Sequence, residues 1–179
     1  RRERQREPPQ LQQAIDGANV PITLADPSKE DNPLVYVNDG FEEMTGYAPE
    51  EARGRNCRFL QGEDTDPEKV AALREAIDNE ESISVELRNY RKNGTEFWNR
   101  LTVSPIYDDD GNLVRYLGTQ EDITERKERE RELGAERRRF RALVEESNDI
   151  ISVIDAAGVF QYQSPSVERI LGYDPEETI

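Results

Sequence analysis

Three consecutive segments that alternate apolar and polar residues constrain the fold of this chain more than any other feature. Residues Ile83–Tyr90, Glu96–Ile106 and Leu113–Gln120 each show the two-residue period of a β-strand with one buried face. Asn93-Gly94 lies between the first two segments and is the strongest short signal for a hairpin. Asp110-Gly111 gives a second turn before the third segment. The pattern therefore predicts three neighbouring antiparallel strands.

Shorter elements precede these strands. Ile22–Ala25 and Leu34–Val37 have the composition of strands, and short helices with loops are expected over residues 40–62. A longer helix is predicted to begin near Thr65, whose spacing from Glu68 matches a capping box. Two strands, several helices and three antiparallel strands predict an α+β domain. It would have one five-stranded antiparallel sheet with short helices on one face.

The pattern of this module begins again after a charged segment. Glu121–Glu146 is mostly charged with few apolar positions, which predicts a solvated linker helix or, as an equal alternative, a parallel coiled coil between two copies. Gly46-Tyr47-Ala48-Pro49-Glu50-Glu51 then recurs as Gly172-Tyr173-Asp174-Pro175-Glu176-Glu177. A repeat of this kind predicts two related modules in tandem.

These signals suggest the following domain organisation. We expect a charged linker end over residues 1–9, a first module over 10–124, a helical linker over 125–147, and the start of a second module over 148–179. Because the chain lacks a starting methionine and stops within the repeated pattern, we expect it to be a piece of a longer protein. The second module would then be truncated.

Residue counts exclude most enzyme chemistries. The chain has no histidine and one cysteine, Cys57, which excludes histidine-based triads, histidine metal sites and an intrachain disulfide. The net charge of -15 argues against direct contact with nucleic acid or an anionic membrane. Twenty of the 24 basic residues are arginine, and this acidic, arginine-rich composition favours a halophilic source. Without a membrane span or signal peptide, a cytoplasmic location is expected.

Three amide side chains fall in rows of apolar residues. Alternation along the strands gives Asn89, Asn99 and Gln120 the same parity as the residues that face the core. An unpaired buried amide costs about 1–3 kcal/mol, so three on one face favour a shared polar partner such as a planar heterocycle. The alternatives are that the amides pair with each other or with water, or that the register is shifted by one residue.

The segment Gly54-Arg55-Asn56-Cys57-Arg58-Phe59-Leu60-Gln61-Gly62 resembles the signature of light-oxygen-voltage (LOV) domains, a subfamily of PAS domains. The resemblance runs from about Ala18 to Thr124 and includes Val35-Tyr36-Val37-Asn38 and Phe97-Trp98-Asn99. It implies a PAS/LOV fold that binds FMN and senses blue light. The second module resembles a generic PAS domain, as in multi-PAS sensors that control a histidine kinase.

The resemblance also implies a role for each candidate site residue. Cys57 would be the photoreactive thiol that bonds reversibly to the flavin C4a carbon. Asn56 and Gln61 would contact the ribityl chain and pyrimidine-side groups, and Arg58 and Arg74 would hold the phosphate. The polar edge of the ring would be bound by Asn89, Asn99 and Gln120, and its apolar walls would be Leu60, Leu87, Phe97 and Leu101. Many members of the family differ from this chain at Thr23 and Ala25, near the flavin.

The same resemblance implies a sensor rather than an enzyme. When the flavin N5 becomes protonated, Gln120 could answer by rotating its amide, which presents both a donor and an acceptor. Gln120 lies two residues before Asp122-Ile123-Thr124, where the linker helix should begin, so the change could bias that helix in a homodimer. The alternatives are a light-insensitive PAS module for ligand sensing or dimerisation, and a flavin enzyme. The flavin enzyme is disfavoured because no substrate base is recognisable.

Overall fold

The computed structural model describes residues 13, 15–145, 147 and 149–174. The linker end expected over residues 1–9 and the last part of the repeat, Pro175-Glu176-Glu177, lie outside the described residues. The chain divides into two compact units between Glu125 and Arg126.

A five-stranded antiparallel sheet forms the frame of the first unit. Its strands are β1 (Ile22–Ala25), β2 (Leu34–Val37), β3 (Ile83–Tyr90), β4 (Glu96–Tyr107) and β5 (Leu113–Asp122), in the order β2-β1-β5-β4-β3. The predicted strands and the α+β class are confirmed, with β4 and β5 slightly longer than expected. This order places β5 between β1 and β4 at the centre of the sheet.

Short helices connect β2 to β3. They are α1 (Asp39–Thr45), α2 (Pro49–Ala52), a 3₁₀ helix (Cys57–Leu60) and α3 (Pro67–Asp78). The predicted capping box of α3 is wrong, because the carboxylate of Asp66 caps the helix by accepting from the backbone N–H of Glu68 at 2.9 Å. The hydroxyl of Thr65 instead donates to the carbonyl oxygen of Arg88 at 2.7 Å and so ties this loop to β3.

Asn38 joins the N-terminal segment to the sheet and to α1. Its side chain is 1% exposed. Its Oδ1 accepts from the N–H of Ile22 at 2.7 Å and of Phe41 at 3.2 Å. Its Nδ2 donates to the carbonyl oxygens of Ile15 and Val20, both at 2.9 Å. The buried amide is thus fully hydrogen-bonded, and three segments of chain meet at it.

The linker helix is present as α4 (Thr124–Glu145). The Leu133, Phe140 and Leu143 side chains on it are 61%, 65% and 68% exposed. No helix among the described residues is long and apolar enough to cross a membrane.

The second unit repeats the opening of the first. β6 (Ser152–Ile154) pairs with β7 (Phe160–Gln163), and α5 (Ser166–Leu171) follows. α5 ends at Gly172 with φ 76°, as α1 ends at Gly46 with φ 77°. Glycine suits both positions because this left-handed conformation is costly for residues with a Cβ atom.

The repetition extends to single hydrogen bonds. The hydroxyl oxygen of Ser164 accepts from the N–H of Ile151 at 3.0 Å. This bond corresponds to the one that Asn38 accepts from Ile22 in the first unit. A serine therefore takes the place of the asparagine in the second unit.

Candidate functional site

A cavity lies against the inner face of the sheet in the first unit, bounded by the 3₁₀ helix and α3. Its empty space, counted out to and including the open mouth, is about 740 Å³. The predicted site residues that line it are Asn56, Cys57, Arg58, Gln61, Leu87, Asn89, Asn99, Leu101 and Gln120. The structure thus brings together most of the candidate set.

Three predicted site residues lie elsewhere. Leu60, the last residue of the 3₁₀ helix, packs in the hydrophobic core, and the Phe97 ring lies under the guanidinium of Arg91 at 4.5 Å. Both are 1% exposed. Arg74 lines a surface groove that adjoins the cavity and shares Arg58 with it. A direct ligand contact stays a prediction for each of the three.

The sequence reasoning missed other lining residues. Four of them were anticipated in part: the alternation along β4 and β5 puts Val103 and Gly118 on the inner face, and Thr23 and Ala25 were expected near the flavin. Sequence patterns indicated no contact with a ligand for five further lining residues: Asn32, Leu34, Leu73, Ile77 and Tyr116. The spacing of Val70, Leu73 and Ile77 gives α3 an apolar stripe, which predicts a buried helix face but does not indicate what that face covers.

The three amides occupy the predicted inner face. Asn89, Asn99 and Gln120 are 3%, 1% and 2% exposed. The Nδ2 of Asn99 donates to Asn89 Oδ1 and to Gln120 Oε1, each at 2.9 Å. Pairing between the amides, one of the alternatives, is therefore present. It is incomplete, because Asn99 Oδ1 and Gln120 Nε2 are buried without a partner in the described structure.

These two unpaired atoms are informative about a ligand. Each costs about 1–3 kcal/mol if nothing satisfies it, so buried polar atoms of this kind are rare in proteins. One is an acceptor and the other a donor, and both belong to residues that line the cavity. A flavin ring carries N–H donors and C=O acceptors along one edge, so the residues present fit that group.

Cys57 is held at the cavity wall by the turn that begins the 3₁₀ helix. The Oδ1 of Asn56 accepts from the backbone N–H of Arg58 at 3.0 Å and caps this helix. Burial raises the pKa of the Cys57 thiol to about 12, so the sulfur keeps its proton at neutral pH. Among the described residues no group of acidic, cysteine or histidine side chains is arranged to hold a metal ion.

Arg58 has a carboxylate partner in this structure. Its guanidinium pairs with the Asp31 carboxylate, and the Asp31 carbonyl oxygen accepts from Asn56 Nδ2 at 2.6 Å. The side chains of Arg58 and Asp31 are 54% and 50% exposed, so the ion pair contributes little to stability. A phosphate could therefore replace Asp31 beside Arg58 at small cost.

Gly118 leaves room for the Thr23 side chain where β5 passes β1 beside the cavity. A Cβ atom at this position would lie 2.4 Å from the hydroxyl oxygen of Thr23. The Thr23 side chain is buried and donates to the Gly118 carbonyl oxygen over a long 3.4 Å. Any side chain at residue 118 would therefore displace Thr23.

The end of β5 leads directly into the linker helix. The backbone N–H of Ile123 donates to the Trp98 carbonyl oxygen at 2.8 Å, and Thr124 Oγ1 accepts from the Trp98 N–H at 2.9 Å. Asp122 Oδ1 accepts from the Thr124 N–H at 2.9 Å. Gln120 thus lies two residues before Asp122, whose carboxylate accepts from the first residue of the linker helix.

Comparison with known proteins shows the family. A model described as "PAS domain" matches residues 19–125, and one described as "PAS fold" matches residues 138–179. The "Blue-light-activated histidine kinase 1" of Erythrobacter litoralis is 48% identical over 135 residues, which are 75% of this chain and 38% of that protein. The "Bacterioopsin transcriptional activator" of Halobacterium salinarum is 41% identical over 146 residues, 82% of this chain and 22% of that protein.

A solved structure agrees with these relatives. "The light state structure of the blue-light photoreceptor Aureochrome1 LOV" is 42% identical, with a TM-score of 0.58, and the match covers 68% of this chain and 92% of that one. This chain spans less than half the length of either curated relative. It belongs to the PAS-domain family, and its first unit belongs to the LOV group within that family.

Proposed function

We propose that this chain is a blue-light sensing module that binds FMN in the cavity and uses Cys57 as the thiol that bonds reversibly to the bound flavin. The observation that carries the proposal is the unpaired buried pair, Asn99 Oδ1 and Gln120 Nε2. They lie on residues that line the same cavity as Cys57, and a flavin edge would satisfy both.

The remaining candidate residues suit the rest of FMN. Asn56 and Gln61 line both the cavity and the adjoining groove, where the ribityl chain would pass. Arg58 and Arg74 line that groove and would hold the terminal phosphate, since a planar guanidinium can donate two hydrogen bonds to one oxyanion. The apolar walls around the ring would be Leu87 and Leu101, which line the cavity, together with Leu60 and Phe97.

The bound flavin would supply absorption of blue light and, when excited, a ring carbon that a thiol can attack. Cys57 contributes a neutral thiol, because burial raises its pKa to about 12. Sulfur and proton are therefore both present at the cavity wall. The starting state returns once the bond between sulfur and flavin breaks and a proton is back on sulfur, so we propose a switch rather than an enzyme.

Identification of the chromophore tests this proposal. The purified chain should be yellow and release FMN on denaturation, at one equivalent per first unit, as measured by chromatography and absorbance. FAD in place of FMN would show that Arg58 and Arg74 do not close on a terminal phosphate. A colourless protein that takes up no flavin would contradict the proposal and favour a light-insensitive PAS module.

Signal output should depend on Gln120. We expect Gln120→Leu to keep light-dependent bleaching but to uncouple it from α4, because leucine has similar volume and no donor or acceptor. Hydrogen exchange across Ile123–Leu133, compared in dark and light, measures the effect: light should alter protection in the parent and much less in the variant.

The matched control is Thr119→Val, which lies next to Gln120 on the opposite face of β5 and should respond to light like the parent. A light response undiminished in Gln120→Leu would show that the signal leaves the cavity by another route.

The exposed apolar side chains of α4 support a homodimer through the linker helices. Leu133 and Phe140 are seven residues apart, the spacing of a coiled-coil seam, and both are more than half exposed. We propose a histidine kinase as the effector, by analogy with the Erythrobacter relative. The acidic, arginine-rich composition and the Halobacterium relative support a halophilic source, and a free Cys57 suits a reducing cytoplasm.

A further inference from the structure

The cavity has a polar end and an apolar end. Along the inner face of β5, Gln120 is followed toward the N-terminus by Gly118 and Tyr116, and along β4 Asn99 is followed by Leu101 and Val103. In this antiparallel pair Leu101 lies opposite Gln120 and Val103 lies opposite Gly118, so the inward-facing residues of the two strands are side by side. The four residue steps from Gln120 to Tyr116 span about 13 Å. The amides therefore lie at one end of the cavity and Tyr116 at the other.

Tyr116 closes the apolar end. Its side chain is 5% exposed, and its hydroxyl donates to the carbonyl oxygen of Ile77, in the last turn of α3, at 2.6 Å. The ring thus reaches from the sheet to the helix, and Tyr116 and Ile77 both line the cavity. Because this hydroxyl is paired, the ring offers the cavity an apolar wall.

The same end of α3 is held at a second point. The hydroxyl of Tyr107, on β4, donates to the carbonyl oxygen of Glu80, just beyond α3, at 3.2 Å. Two tyrosines from neighbouring strands therefore fasten this region to the sheet. The end wall cannot recede without the loss of at least one of these hydrogen bonds.

From this geometry we infer that Tyr116 is a specificity-determining residue that limits the size of the ligand's apolar edge. The inference rests on the proposed flavin site, because it takes the polar ring edge to meet Asn99 and Gln120. A rigid planar ring held there directs its hydrocarbon edge toward Tyr116. Any bulky group added to that edge must displace Tyr116 or lift α3 from the sheet.

Binding to the flavin-free protein tests this inference without reference to light. The probes are FMN and an FMN analogue in which a methyl group at the hydrocarbon edge is replaced by a benzylamino group, titrated by flavin fluorescence or absorbance. The parent should bind the analogue at least about tenfold more weakly than FMN, as expected when atoms are forced into a packed wall. Tyr116→Leu, which shortens the wall, should bind the two with comparable affinity.

Tyr116→Phe is the matched control, since it keeps the wall and loses only the hydrogen bond to Ile77. It should still discriminate against the analogue, because the ring remains and Tyr107 still holds the end of α3 to the sheet. Retained FMN binding shows that each variant is folded. Equal binding of both probes by the parent, or unchanged discrimination in Tyr116→Leu, would overturn the inference while leaving the flavin site intact. A parent that binds neither probe would overturn the proposed function and this inference together.

Discussion

Replacing Cys57 by alanine should leave FMN bound and abolish the reversible bleaching of the blue absorption band. The thiol is the reacting group in the proposed switch, whereas the amides and arginines hold the cofactor. Cys57 is one wall residue among many in the cavity, so its loss should cost little flavin affinity. Absorption spectra recorded before, during and after blue light measure the effect, and flavin content measured after denaturation confirms occupancy.

Cys57→Ser is the control for this prediction. It keeps a small side chain with a proton-carrying group at the same place but removes the sulfur, so it should also bind flavin and fail to bleach reversibly. Bleaching and recovery at the parent rates in Cys57→Ala would show that another group reacts with the flavin.

Asn38→Asp should destabilise the first unit by about 3–5 kcal/mol, because it buries a negative charge and sets one of its oxygens against carbonyl oxygens. The new carboxylate oxygen would replace Nδ2 and face the carbonyl oxygens of Ile15 and Val20, which now accept from the amide. Urea unfolding at neutral pH, followed by circular dichroism, gives the free energy of unfolding.

The destabilisation caused by Asn38→Asp should increase as the pH rises. Burial would raise the pKa of the new carboxyl in the folded state above its unfolded value, so the penalty should grow as the pH rises between the two values. Below the unfolded pKa both states are protonated, and the penalty should largely disappear. A cost independent of pH would show that lost packing, not charge, is responsible.

The second unit supplies the matched control, Asn38→Ser. A serine already occupies the equivalent position, where Ser164 accepts from the N–H of Ile151. Asn38→Ser should therefore keep the bond from Ile22 and lose only those donated by the amide, at a cost of about 1–3 kcal/mol. The prediction fails if serine is as disruptive as aspartate.

Local signals account for the parts of the fold that the sequence predicted. Strict alternation and the Asn93-Gly94 turn were sufficient for β3 and β4, because a one-residue slip would expose their whole apolar face. The same parity is enough to place Asn89, Asn99 and Gln120 on the inner face. Their incomplete pairing depends on distances between strands, which no local pattern encodes.

Other features depend on tertiary contacts and were missed or misplaced. In the sequence, nothing distinguishes Tyr116 from other tyrosines in strands. Its role depends on the position of α3, where the Ile77 carbonyl oxygen accepts a hydrogen bond from the Tyr116 hydroxyl. Asp66 caps the helix in place of Thr65, whose hydroxyl donates to the Arg88 carbonyl oxygen of β3 and accepts from the Gly62 N–H. The spacing of residues within the helix start could not reveal the contact between Thr65 and Arg88, which are distant in the sequence.

The absorption spectrum of the purified chain, before and after blue light, tests the central claim most directly. A flavin band in the blue should be present in the dark, disappear on illumination, and return in the dark as Cys57 regains its proton. A protein without a flavin band, or one whose band is unchanged by blue light, would contradict the proposed function.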